Sequence, residues 1–99
     1  MEINTMSIDL ETRSDIDLAS CGVYRYADSP AFDILLFGVS VDHGPVKVYD
    51  LAKGETIPED LLRAIVNPMV EKWAYNAGFE RVCLSAWFRK NRPWYYVTT

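Results

Sequence analysis

Residues 32–50, FDILLFGVSVDHGPVKVYD, carry the pattern that decides the fold class. Residues 32–41 are almost continuously apolar, which is typical of a strand that is covered on both faces at its start. DHGP at residues 42–45 has the composition of a tight turn, and residues 46–50 alternate apolar and polar side chains as a returning strand does. The pattern therefore predicts an antiparallel β-hairpin.

The segment before this hairpin predicts a first strand and a short helical turn. Residues 3–10 are rich in apolar side chains that settle into a period of two, which is typical of a half-buried strand. Residues 15–21 favour a short helical turn, and Gly22 is expected to end it. ADSP at residues 27–30 has the composition of a loop.

After the hairpin, the hydrophobic pattern changes to a helical period. Thr56 and Glu59 have the spacing of a capping box, and the apolar residues that follow share one helical face. Pro68 is expected to end this helix, because the residue before a proline is pushed out of helical geometry. Residues 70–75 predict a short strand, and residues 79–90 predict a second helix.

The order of these elements predicts the fold class. A three-stranded antiparallel meander is followed by βα units, which indicates a mixed α/β sheet with helices on its faces. The buried stripe of the last helix is expected to contain Phe79, Val82, Cys83, Ala86 and Trp87. WYYV at residues 94–97 predicts a further strand. Residues 1–99 are expected to form a single domain, because domains usually contain about 100–150 residues.

Composition excludes several classes of protein. The chain has 99 residues, of which 49% are hydrophobic and 24% charged, so it is not expected to be disordered. No apolar stretch is long enough to span a bilayer, and two cysteines without metal-type spacing favour a reduced, cytoplasmic protein. Residues 1–60 contain twelve acidic and four basic side chains, whereas residues 61–99 contain two and six. The acidic half is suited to cation binding or to solubility, and the basic half is suited to contact with an anion.

Two carboxylates at the end of the first strand form the first candidate site. Asp9 and Glu11 are two residues apart on a strand, so their side chains project from the same face. Such a pair repels unless a cation lies between the two groups or one is protonated, and Mg²⁺ accepts oxygen ligands of this kind. The alternative is a strand end with two solvated acids.

Glu80 is the second candidate. It follows Asn76, which is expected to cap the last helix, and an acid in a first turn is stabilised by the helix dipole. This structural role is sufficient to explain both residues. A functional role as a third ligand requires the fourth strand to lie parallel to the first, because sites in open α/β sheets form at the carboxyl ends of strands.

The two segments together resemble a known family. SIDLET at residues 7–12 and YNAGFE at residues 75–80 resemble motifs I and II of the DEDD superfamily of 3′–5′ exonucleases, which have a ribonuclease H-like fold. The run DLETRS, CGVYRYA and PAFDILLF, within residues 9–37, is most similar to the N-terminal exonuclease domain of phage and prophage family A DNA polymerases. The resemblance covers nearly all of the chain.

The resemblance implies a site, cofactors and partners. Asp9, Glu11 and Glu80 would be catalytic and would bind two Mg²⁺ or Mn²⁺ ions, although most relatives have aspartate at the position of Glu80. The reaction implied is two-metal-ion hydrolysis of phosphodiesters at a DNA 3′ end. The implied partners are the single-stranded 3′ end and a downstream polymerase domain, with no membrane. The residues that would bind substrate are Thr12, Asn76 and Phe79.

The third motif of that superfamily has no counterpart in the chain. It places an aspartate, with a histidine or tyrosine four residues before it, on a late helix, and no late residues fit this spacing. We therefore expect the 99 residues to be a fragment of a polymerase that is inactive by itself, and the aromatic end to favour self-association. The alternative is a non-catalytic nucleic-acid-binding or structural module with a nuclease-like fold, and an RNA-directed relative is a further possibility.

Overall fold

A computed structural model describes residues 2–95 of the chain. This part of the chain forms one four-stranded sheet, three α-helices and a short 3-10 helix at Leu51–Lys53. The elements are β1 Thr5–Arg13, α1 Leu18–Asp28, β2 Asp33–Val41, β3 Val46–Asp50, α2 Glu59–Val66, β4 Glu71–Trp73 and α3 Ala77–Asn91. None of the helices described is long and apolar enough to cross a membrane.

The sheet has the strand order β3-β2-β1-β4. β1 and β2 are antiparallel, β2 and β3 are antiparallel, and β4 lies parallel to β1. This confirms the predicted class, a mixed α/β sheet in which an antiparallel meander precedes βα units, and it is compatible with a ribonuclease H-like fold. β4 lies beside β1 in the same direction, so the condition stated above for Glu80 to act as a third ligand is met.

The predicted hairpin is present with the predicted turn. Asp42 and His43 both have positive φ, 50° and 63°, which is the geometry of the turns that match the twist of hairpin strands. The Asp42 carboxylate also accepts hydrogen bonds from the backbone N–H groups of Asn4 and Thr5, both at 2.9 Å. The turn therefore anchors the start of β1 as well as joining β2 to β3.

The two faces of the sheet differ in what covers them. On β1 the side chains of Met6, Ile8 and Leu10 are buried in the core, whereas those of Ser7, Asp9 and Glu11 are exposed on the other face. Helix α3 packs on the core face and is buried at every position from 82 to 88. The exposed face is called the open face below, and it presents large apolar side chains, namely Val46, Val48 and Trp73.

The prediction that Gly22 ends a short helical turn is confirmed, but a second helical segment that was not predicted follows it. The chain kinks at Gly22, where φ is 82° and ψ is 166°, but the helix resumes and continues to Asp28, through part of the expected loop. The reason is that Val23, Tyr26 and Ala27 recur at helical spacing and pack against the core. Glycine takes the positive φ without steric cost, so the kink does not prevent the second part of the helix.

The capping box predicted for α2 is wrong. The helix begins at Glu59, Pro58 occupies the N-cap position, and no side chain caps the helix. The Glu59 carboxylate instead accepts a hydrogen bond from the Tyr95 hydroxyl at 2.7 Å and lies 3.8 Å from the Arg92 guanidinium. Glu59 is thus used for a tertiary contact and is not available for the local cap.

The predicted boundaries shift at several other elements. β1 continues to Arg13, β4 is limited to Glu71–Trp73, and α3 begins at Ala77 and ends at Asn91. Trp94 and Tyr95 form a turn after α3 and not a strand, and the remaining residues of that predicted strand lie outside the described part. The Tyr95 ring packs edge-to-face on the buried Phe88, with ring centroids 5.7 Å apart, which holds the turn against α3.

Candidate functional site

The β1 carboxylates lie together on the open face, as predicted. Asp9 and Glu11 are exposed, and the residues between and beside them, Ile8 and Leu10, are buried on the core face. Asp9 is paired with Gly38 of β2, and Glu11 is followed by an irregularity in the β1–β2 register. A Cβ atom at Gly38 would lie 3.4 Å from the Asp9 carbonyl oxygen, so the absence of a side chain there leaves space beside Asp9.

Glu80 is buried in the first turn of α3, which the sequence pattern did not predict. Asn76 caps this helix as expected, accepting a hydrogen bond from the Phe79 backbone N–H at 3.4 Å. Only 6% of Glu80 is exposed, and its Oε2 atom has no hydrogen-bond partner. Buried carboxylates are normally paired or bound to a cation, so an unpartnered oxygen here marks Glu80 as unusual.

Glu80 lines a cavity of 280 Å³ between α2, β4 and α3. Its walls are largely apolar and include Ile8, Ile65 and Leu84. Lys72 also lines the cavity, but its ammonium group donates to the backbone carbonyl of Asn67, and burial lowers the pKa of Lys72. One carboxylate oxygen of Glu80 in this cavity therefore has no hydrogen bond from the described residues.

Burial and charge both act on Glu80. Burial raises the pKa of the Glu80 carboxyl above its ordinary value, and the negative charge of Asp9 raises that pKa further. The backbone N–H groups of Glu80 and Asn76 oppose this by lowering the pKa. Burial, together with the charge of Glu80, raises the pKa of the neighbouring Cys83 thiol to about 12. Asp9 and Glu80 are therefore within electrostatic reach of each other.

The three predicted ligands do not form a closed metal site. Within residues 2–95, no group of three or more histidine, cysteine, aspartate or glutamate side chains is close enough to hold an ion. Asp9 and Glu11 share the open face, whereas Glu80 faces the cavity behind Ile8. The oxygen donors and the unpartnered Oε2 atom suit a hard divalent cation, but the described residues supply only part of a coordination sphere. Metal binding by these three residues stays a prediction.

The residues predicted to bind substrate have structural contacts in this structure. The Thr12 hydroxyl is 3.0 Å from the Tyr26 hydroxyl, and the Phe79 ring packs on the Tyr26 ring with centroids 6.1 Å apart. Asn76 is exposed and caps α3. Tyr26 was missed by sequence reasoning because it follows Gly22, although the apolar spacing of Val23, Tyr26 and Ala27 was available as a signal.

A groove of 540 Å³ on the open face begins beside Asp9. Trp73 and Tyr75, at the end of β4, line this groove and are highly exposed, 57% and 104% respectively. Ile8 and Trp73 line both the groove and the Glu80 cavity, so the two depressions adjoin. Sequence reasoning missed the two aromatic residues because they were counted as part of a short strand.

Comparison with known proteins gives one informative similarity. The chain matches no protein-family model, and no solved structure matches it. It is 49% identical over 86 residues to a DNA polymerase of Bacillus phage SP02. The match covers 87% of this chain but 13% of the phage protein, so the chain spans about one eighth of the length of the relative that it matches. The chain is thus similar to a segment of a viral DNA polymerase.

Proposed function

We propose that this chain is part of a DNA polymerase and forms the main sheet of its 3′–5′ exonuclease domain. The observation that carries the proposal is the placement of Asp9 and Glu11 on β1, beyond the residues that pair with the parallel strand β4, which leads into the helix that carries Glu80. The 49% identity to a phage DNA polymerase supports the same assignment. The substrate proposed is the 3′ end of single-stranded DNA.

Asp9, Glu11 and Glu80 are the residues proposed to hold Mg²⁺ or Mn²⁺. A bound divalent ion supplies electrostatic stabilisation and an activated water for phosphodiester hydrolysis. The carboxylates of Asp9 and Glu11 lie on one exposed face of β1, and the geometry of the strand fixes the distance between them. Asn76 caps α3 and so fixes the turn from which Glu80 projects, and the apolar cavity around Glu80 strengthens its electrostatic interactions.

Titration of the 99-residue chain with Mn²⁺ tests the metal site. Asp9→Asn, Glu11→Gln and Glu80→Gln are each expected to weaken Mn²⁺ binding in calorimetry, since each removes a charged oxygen ligand. Glu71→Gln is the matched control, because Glu71 is an exposed acid on β4 at the other end of the same sheet. Paramagnetic broadening is expected around the three proposed ligands only. Equal broadening at all acidic residues, or an equal effect of Glu71→Gln, would contradict the proposal.

A non-catalytic module is the second candidate. It is favoured by the lack, within the described part of the chain, of three ligand side chains close enough to hold an ion. The purified chain is expected to shorten single-stranded DNA little or not at all. A polypeptide extended to the full length of its reading frame is the deciding sample: metal-dependent shortening that Asp9→Ala abolishes supports the exonuclease, whereas DNA binding without shortening supports the module.

A further inference from the structure

The cavity that Glu80 lines has an apolar interior and an opening to solvent. Glu80 and Leu84 are four residues apart on α3, so they lie on the same face of the helix, and Ile65 of α2 lines the same space. Ala77 and Arg81 also line the cavity and are exposed, so they lie at its entrance. A small molecule that enters there meets one acid among apolar walls.

The volume of the cavity is suited to a small organic molecule. It is 280 Å³, whereas an apolar cavity of about 150 Å³ is sufficient to bind benzene. Sites for drug-sized ligands usually enclose about 300–1,000 Å³, so larger ligands are not expected to fit. The space beside Glu80 is therefore sufficient for one aromatic ring with a short polar substituent.

The Glu80 carboxylate selects the charge of that substituent. Its Oε2 atom has no hydrogen-bond partner among the described residues, although the side chain is buried. The cost of taking this group out of water is incurred when the protein folds, so a ligand that donates to Oε2 relieves that cost. An ammonium group supplies both an N–H donor and the opposite charge, and hydrogen bonds between charged groups are stronger than those between neutral groups.

The cations of the cavity leave the Glu80 carboxylate available. Lys72 donates a hydrogen bond to the Asn67 carbonyl, and Arg81 is exposed to water, which screens its charge. Neither side chain forms an ion pair with Glu80 in the part of the chain that the structure describes. The Asp9 carboxylate is within electrostatic reach and adds a second negative charge. The electrostatic environment of Oε2 thus favours a cation.

We propose that this cavity binds a primary organic ammonium ion with an apolar body of the size of benzylammonium. The ammonium group donates to Glu80 Oε2, and the ring contacts the apolar walls. This ligand site does not require the exonuclease function, but it shares Glu80 with the proposed metal site. An amine bound there excludes a divalent ion from Glu80 and so inhibits any metal-dependent activity of that residue.

Three ligands that differ mainly in charge test the site in the 99-residue chain. Benzylammonium, benzyl alcohol and phenylacetate are titrated in EDTA, and the backbone amide resonances are followed by NMR. Benzylammonium is expected to bind about tenfold more tightly than benzyl alcohol, since its hydrogen bond to Oε2 is charge-assisted, and to shift the resonances of the residues that line the cavity. Equal binding of these two ligands would overturn the proposal, and so would tighter binding of phenylacetate, which would assign the site to Lys72 and Arg81.

Two variants separate the carboxylate from the cavity. Glu80→Met keeps the cavity apolar, so it is expected to weaken benzylammonium about tenfold or more and to leave benzyl alcohol nearly unchanged. Ala77→Phe places a large side chain at the entrance and is expected to weaken both ligands. Glu71→Gln is the matched control, because Glu71 is an exposed acid on β4 that does not line the cavity. Circular dichroism checks that each variant folds, and an equal loss of benzylammonium in Glu71→Gln would contradict the assignment to Glu80.

Competition with Mn²⁺ separates this inference from the proposed function. Benzylammonium is expected to weaken Mn²⁺ binding to the wild type, whereas phenylacetate is expected to leave it unchanged. If Mn²⁺ binding requires Glu80 but benzylammonium does not bind, the ligand site is wrong and the metal site stands. If benzylammonium binds through Glu80 and Glu80→Gln leaves Mn²⁺ binding unchanged, the ligand site stands and the assignment of Glu80 to the metal fails.

Discussion

Replacing Glu80 with methionine is expected to stabilise the protein. Glu80 is 6% exposed, its Oε2 atom lacks a hydrogen-bond partner, and its cavity is mostly apolar. Leaving a buried polar acceptor unpartnered costs about 1–3 kcal/mol, and methionine has a similar length and a similar helix propensity. The free energy of unfolding at neutral pH should therefore rise by about 1–3 kcal/mol in Glu80→Met, with a midpoint temperature about 4–8 °C higher per kcal/mol.

The stabilisation should depend on pH in a defined direction. Because the pKa of Glu80 is raised in the folded protein, the folded state binds this proton more tightly than the unfolded state does. The contribution of Glu80 to stability is thus most favourable below its unfolded pKa of about 4.3, and it is lost as the pH rises through the folded pKa. The advantage of Glu80→Met should be smallest in acid and should grow across this window.

Urea denaturation of the two proteins at several pH values measures the effect. Glu71→Gln removes one negative charge from an exposed strand position and is expected to leave the stability nearly unchanged. A Glu80→Met protein that is less stable than the wild type, or a stability difference that does not change with pH, would refute the reasoning and indicate a hidden partner for the carboxyl. Adding Mn²⁺ should stabilise the wild type and not Glu80→Met if the proposed metal site is correct.

Three further outcomes follow from other parts of the fold. Phe88→Ala should lower the free energy of unfolding by about 3–5 kcal/mol in urea denaturation, because Phe88 is 1% exposed and fills the core; a loss below 1 kcal/mol would contradict this. Asp42→Ala should cost about 1–2 kcal/mol in the same assay, because the carboxylate accepts two backbone hydrogen bonds at the start of β1; Asp28→Asn, at an exposed helix end, is the control. A thiol reagent should label Cys21 in the folded protein but label Cys83 only after unfolding, because Cys83 is fully buried and its pKa is raised to about 12. Mass spectrometry of the labelled peptides measures this. Labelling of both cysteines at equal rates in the folded protein would contradict it.

The sheet was predictable because its determinants are local. The alternation in β1, the apolar run of β2 and the DHGP turn each specify a strand or a turn without reference to the rest of the chain. The helix between the meander and β4 allows a parallel strand, because parallel strands require a crossover, but the pairing of β4 with β1 was a condition for the site and not a prediction. The N-cap of α3 by Asn76 was likewise predictable from the sequence.

What was not predictable depends on tertiary contacts. Glu59 was assigned to a local cap, but it binds the Tyr95 hydroxyl, which lies 36 residues away along the chain. The helical segment after Gly22 was missed because the packing of Tyr26 against Phe32 and Phe79 is not visible in the local pattern. The burial of Glu80 was missed because glutamate is almost never fully buried, so the sequence alone favours an exposed position in a first turn.

The pairing of β1 with β4 also bears on the order in which the molecule folds. It joins Thr5 to Glu71, 66 residues apart, through three pairs of residues, whereas the hairpin β2–β3 closes across a short turn. Closing a long loop for few contacts is entropically unfavourable, so β4 is expected to dock after the meander has formed. Asp9 and Glu80 would then come within reach of each other only in this last step. A chain that has folded only its meander would therefore have most of the sheet but not yet the candidate site.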